Sequence, residues 1–90
     1  MTANTIKQKL EQALKPELIE IIDHSAAHAG HVGNQGGGHY NLTIVSEQFE
    51  GKSLVQRHQL IYRTLGDMMK EEIHALAINA LTPTENRKGN

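Results

Sequence analysis

Between residues 25 and 38 no apolar period survives, and that interruption limits what the chain can fold into. The stretch SAAHAGHVGNQGGG carries five of the chain's eight glycines. A small, polar, glycine-rich segment sustains neither helix nor strand, so it is a loop. Both of its flanks read as strands. In residues 17–24 (ELIEIIDH), Ile19 and Ile21 alternate with Leu18 and Ile22, a pattern predicting a strand buried substantially on both sides. Downstream, Tyr40, Leu42 and Ile44 alternate with Asn41, Thr43 and Val45, which predicts a second strand. The two form a hairpin whose loop is too long for a tight turn, and loops of this length are often functional.

The rest of the chain is arranged around that hairpin. Over residues 5–14, Ile6, Leu10, Ala13 and Leu14 share one face at helical spacing. Thr2, Asn4 or Thr5 caps this helix, and Pro16 ends it by disfavouring helix at Lys15. After a polar connector pinned by Phe49, Ser53 is a good N-cap for a long helix reaching about residue 70. Its expected buried stripe is Leu54, His58, Ile61, Leu65 and Met68, widened by Val55, Tyr62 and Met69. IHALAINAL, bounded by Pro83, reads as a last strand with Leu76 and Ile78 facing inward. Its alanines suit a place where a helix packs closely on a sheet. The polar residues 84–90 are expected to be a disordered tail.

Helix, strand, strand, helix, strand predicts an α+β sandwich. One domain, residues 1–83, would place its helices on one face of a three-stranded sheet and leave the other face comparatively open. Ninety residues with 38% hydrophobic content make one small core, and a formal charge of −1 supplies no basic field for non-specific nucleic-acid binding. The first residues lack the apolar centre of a signal peptide, and no apolar run approaches a membrane span. These features lead us to expect a soluble, cytoplasmic protein, or one of an equivalent reducing compartment.

The chemistry rests on histidine. The chain has six histidines and no cysteine, and His24, His28, His31 and His39 fall within sixteen residues. It can offer nitrogen to a metal but no sulfur. The H-x3-H and H-x2-H spacings are formally compatible with zinc, but a structural zinc site usually closes on four ligands, often including cysteine. Solvated loop histidines are the simpler reading, with His24 and His28 as bystanders and His39 bonded to backbone. His58 falls in a buried stripe and reads as a hydrogen-bonded core histidine. His74 opens a strand after a helix–strand turn, where structural and functional roles fit equally well.

Two further motifs have plain explanations. Gly51-Lys52-Ser53 lacks the glycine five residues upstream that a phosphate loop needs, since position 46 is Ser, so turn and cap account for it. The loop glycines lie between two strands rather than between a strand and a helix, which a dinucleotide fingerprint requires. No nucleophilic triad or perturbed carboxylate pair stands out, and the chain is not expected to be an enzyme.

The block FEGKSLVQRHQLIYRTL followed by IHALAINALTP resembles the signature of BolA proteins. The match extends upstream through IKQKLEQAL and GGHYNLTIVS, covering residues 5–83. Phe49, Gly51, Arg57, His58, His74, Ala75, Leu76 and Thr82-Pro83 together carry it.

The resemblance implies a type II KH-like α-β-β-α-β fold with a mixed sheet. It also implies a monothiol glutaredoxin as partner, the chain being monomeric alone and heterodimeric with it. Such pairs share a [2Fe-2S] cluster. Glutaredoxin and glutathione would supply thiolates, and this chain would supply His74 and a loop histidine, His31 with His28 in reserve. An imidazole in place of a thiolate raises cluster potential and makes ligation pH-sensitive. The output would be iron or redox sensing, or cluster delivery.

The family's second proposed role is transcriptional regulation through DNA, with Lys52, Arg57 and Arg63 as phosphate candidates. A nucleic-acid-binding KH domain carries G-x-x-G between two helices, whereas here those spacings fall in the hairpin loop. An autonomous zinc binder using the loop histidines is the third alternative.

Overall fold

A computed structural model describes residues 2–24 and 38–88. Helix α1 (Thr2–Leu14) leads to strand β1 (Leu18–Asp23), and β2 (Gly38–Val45) follows. A single 3-10 turn (Glu47–Phe49) precedes α2 (Leu54–Leu65) and the short α3 (Met68–Glu71). Strand β3 (Ile73–Leu81) and helix α4 (Pro83–Lys88) complete the described residues. The sheet order is β1-β2-β3, antiparallel between β1 and β2 and parallel between β2 and β3. The expected mixed α+β sheet is therefore present.

Alternation decides which side of the sheet the helices cover. Tyr40, Leu42 and Ile44 of β2 point into the core, where they meet Ile6 and Leu10 of α1 and Ile61 and Leu65 of α2. Leu76, Ile78 and Ala80 of β3 pack on the same side. The opposite face stays open: Glu20, Ile22, Asn41, Ala75, Ala77 and Asn79 are exposed. β1 thus departs from the expected two-sided burial. Ile19 and Ile21 pack against the core, but Leu18 is 39% and Ile22 54% exposed because no helix lies over them.

Helix α2 is shorter than its hydrophobic period predicts. Gly66 takes a φ of 58° and a ψ of −127°, a conformation that glycine adopts readily and other residues do not. It breaks the helix after Leu65, and its N–H donates to the Tyr62 carbonyl. The stripe also shifts: Ile61, Leu65 and Met68 are buried, whereas Leu54, Val55 and Tyr62 are exposed. At the other end the expected cap is present. Ser53 Oγ accepts the Gln56 N–H at 3.2 Å, and Gln56 Oε1 accepts the Ser53 N–H at 2.9 Å.

Residues 83–88 are helical, not a disordered tail. Thr82 Oγ1 accepts the Glu85 N–H at 3.1 Å, and Glu85 Oε1 accepts the Thr82 N–H at 3.0 Å. With Pro83 at the first helical position this is a capping box, and it nucleates a turn that polarity alone would not suggest.

Candidate functional site

His74 owes its position to an extra residue in β3. Gly38 pairs with Ile73 and His39 with Ala75, so His74 has no counterpart on β2. Such a bulge re-aims a side chain and restarts the alternation. Ile73 faces the core; without the extra residue Ala75, Ala77 and Asn79 would follow it inward. The bulge instead sends Leu76, Ile78 and Ala80 inward and leaves His74 exposed.

Across the bulge, the half-buried ring of His39 lies 4.9 Å from that of His74, centroid to centroid, at an interplanar angle of 38°. His39 is held by local geometry. Its carbonyl accepts the His24 N–H at 2.7 Å, which extends the β1–β2 ladder one step past Asp23. Gly38 beside it is buried, and its N–H donates to the Glu72 carbonyl at 2.9 Å. The Tyr40 ring folds back over Gly38 and occupies the space a Cβ would need there. His24 and Gly38, the residues flanking 25–37, therefore meet at the sheet end that carries the imidazole pair.

His31 and His28 lie outside the described residues. Among the described residues no group of three His, Cys, Asp or Glu side chains could hold a metal ion. The exposed imidazole of His74 can supply one nitrogen to a ligand set that other groups complete. Nitrogen donors with no thiolate suit the imidazole side of a mixed nitrogen–sulfur site. The sequence assigned His39 a backbone bond only; its ring contact depends on the bulge, which leaves no periodic trace in IHALAINAL.

Other candidates fall elsewhere. His58 is half-buried and meets Tyr62 edge-on at 6.4 Å, as a packed helix residue. Lys52 and Arg63 are exposed and remain available to an anion. Arg57 does not, which corrects its assignment as a phosphate contact. It is 6% exposed, and four of its five guanidinium N–H groups are bonded within the protein. Nε donates to the Lys52 carbonyl at 2.9 Å and Nη1 to the Ala80 carbonyl at 3.0 Å. The fork closes on Glu85 with bonds of 2.6 and 3.0 Å. Hydrogen bonding to Arg57 holds the Glu85 carboxyl well below the usual range, at about 2, and the same bond raises the Arg57 pKa. The clamp ties the starts of α2 and α4 to the end of β3. It is a structural device at the opposite end of β3 from His74.

The chain matches the profile of the BolA-like protein family over residues 10–85. It is 50% identical over 86 residues to SufE-like protein 1, chloroplastic/mitochondrial, of Arabidopsis thaliana, covering 89% of this chain and 23% of that protein. The solved BolA domain of SufE1 from that plant superposes with a TM-score of 0.80, covering 93% of this chain and 94% of the domain. BolA-like protein 1 of Mus musculus is 42% identical over 83 residues, covering 92% of this chain and 59% of the relative. The DNA-binding transcriptional regulator BolA of Vibrio cholerae is 38% identical over 85 residues, covering 94% and 78%. The chain thus spans about a quarter and three-fifths of the first two relatives. No helix among the described residues is long and apolar enough to cross a membrane.

Proposed function

Because this chain belongs to the BolA-like family, we propose that it is a non-enzymatic partner of a monothiol glutaredoxin and co-ligates a shared [2Fe-2S] cluster. The observation that carries the proposal is the β3 bulge. It exposes His74 at the sheet end where the flanks of residues 25–37 meet, and that segment of the sequence contains His28 and His31. His74 is the first ligand and His31 the second, with His28 in reserve; glutaredoxin cysteine and glutathione supply sulfur. The His39 ring lies beside that of His74. The cluster would carry one electron or be passed on, serving iron or redox sensing or delivery in the cytoplasm or an equivalent reducing compartment.

Reconstitution with a monothiol glutaredoxin, glutathione, ferrous iron and sulfide tests this. The expected product is a heterocomplex whose visible absorption and circular dichroism differ from those of glutaredoxin alone. His74→Ala and His31→Ala should alter those spectra, and His24→Ala should not. Spectra identical to glutaredoxin alone, with no heterocomplex on gel filtration, refute the proposal. Tight zinc binding by the isolated chain would favour the autonomous metal binder.

The name of the Vibrio cholerae relative keeps a DNA-binding reading as the alternative. With Arg57 committed, that reading rests on Lys52 and Arg63. The turn between α2 and α3, the position of G-x-x-G in nucleic-acid-binding KH domains, reads Gly66-Asp67-Met68-Met69 here and presents an exposed carboxylate. DNA affinity that falls steeply with salt and with loss of Lys52 would favour it.

A further inference from the structure

Among the described residues, strand β1 is an edge whose outer side is unpaired within the sheet. His24 N–H bonding to the His39 carbonyl sets the phase of the β1–β2 ladder. Residues 18, 20 and 22 bond inward to β2, and Ile19 and Ile21 turn their N–H and C=O groups to the open edge. A groove of about 450 Å³ runs alongside, between this edge and α1, lined by Ala3, Asn4, Lys7, Ile19 and Ile21 among others. Leu18 and Ile22 stand exposed on the other side. The edge is also acidic: Glu17, Glu20 and Asp23 recur every third residue.

The geometry points to β1 as a docking edge for an extended partner peptide in which Lys or Arg recurs every third residue with apolar residues between. Such a peptide adds a fourth strand antiparallel to β1. Main-chain hydrogen bonds to Ile19 and Ile21 provide affinity, and alternate side chains provide selection. Directly opposed residues share a face. A central cation therefore meets exposed Glu20 on the open face, while its apolar neighbours enter the groove beside Ile19 and Ile21. Lys7, at the groove, disfavours cations at those inner positions.

A second copy of the chain fits less well. Pairing two β1 strands about Glu20 sets carboxylate against carboxylate, and pairing them about Ile21 sets Glu20 against Ile22 and Asp23 against Ile19. Residues 25–37 contain no Lys or Arg to match the acidic row. This inference does not rest on cluster binding at His74, which lies on β3, the opposite edge strand of the sheet.

The test uses the full chain, isotope-labelled, and a soluble peptide with lysine at every third position and valine between. Amide shifts should move at residues 18–23 and along the α1 side of the groove. Methylating the peptide's edge-facing nitrogens should abolish binding. Glu20→Lys should weaken it about three- to tenfold and favour the glutamate version of the peptide by a similar factor. Shifts that map to α2, binding indifferent to N-methylation, or affinity unchanged in Glu20→Lys would each overturn the proposal. So would Ile19 and Ile21 amides as protected from exchange in the free protein as those of β2, or self-association through β1.

Discussion

Replacing Arg57 by alanine should cost about 2–4 kcal/mol of folding stability. Arg57 donates to two main-chain carbonyls and to Glu85. Lys52 is exposed, so water replaces the guanidinium at its carbonyl with little loss. Ala80 is 2% exposed, and its carbonyl is left without that donor in a dry setting. An unsatisfied buried acceptor costs about 1–3 kcal/mol, and loss of the packed Arg57 stem adds to it. For a domain this small that lowers Tm by about 10–25 °C. Urea unfolding followed by circular dichroism at neutral pH measures it. Arg57→Lys should recover only part of the loss, because one ammonium cannot serve all three directions.

Acid separates the two halves of the clamp. Glu85 has its folded pKa lowered to about 2. Its contribution is therefore complete above the ordinary carboxylate range and fades as pH falls through that range toward 2. Arg57, with its pKa raised, stays charged throughout this window. Glu85→Gln should thus be less stable than wild type at neutral pH, and the gap should close in acid. An Arg57→Ala loss below about 0.5 kcal/mol, or a Glu85→Gln gap that persists in acid, would contradict this role for the clamp.

Two other substitutions have defined outcomes. Gly38→Ala drives a methyl group into the Tyr40 ring, and overpacking of this kind costs about 1–3 kcal/mol; denaturant titration gives the loss, and His39 and His74 ring shifts in NMR should move with it. Ser53→Ala removes the hydroxyl half of the α2 capping box and should cost about 1 kcal/mol by the same titration, whereas Ser53→Asp should be tolerated.

Much of this architecture was legible because it is periodic or punctuated. Alternation in YNLTIV marked β2, Ser53 marked the start of α2, and Pro83 marked the end of β3. The inward phase of Leu76 and Ile78 was also readable. What escaped depended on long-range pairing. A helical period runs through Gly66 to Met69, so the break appears only once Gly66 is seen at positive φ. Leu54 and Val55 fit an apolar stripe by spacing, yet nothing covers the start of α2.

Arg57 read as a phosphate candidate, but its counter-ion is 28 residues away along the chain. The T-P-T-E capping box of α4 was present in the sequence and was outweighed by the polarity around it. At the candidate site, His74 was marked by its place at a strand start. Its neighbour His39 could not be, because one unpaired residue in β3 decides which ring faces which.

Histidine nitrogen of this chain is proposed to bind iron in a shared cluster. Pulsed electron paramagnetic resonance on the reduced heterocomplex, with only this chain's histidines labelled with nitrogen-15, tests it most directly. The expected result is strong nitrogen-15 hyperfine coupling that is lost from one ligand in His74→Ala. A heterocomplex cluster with no histidine nitrogen coupling, or with coupling unchanged in His74→Ala, would contradict it.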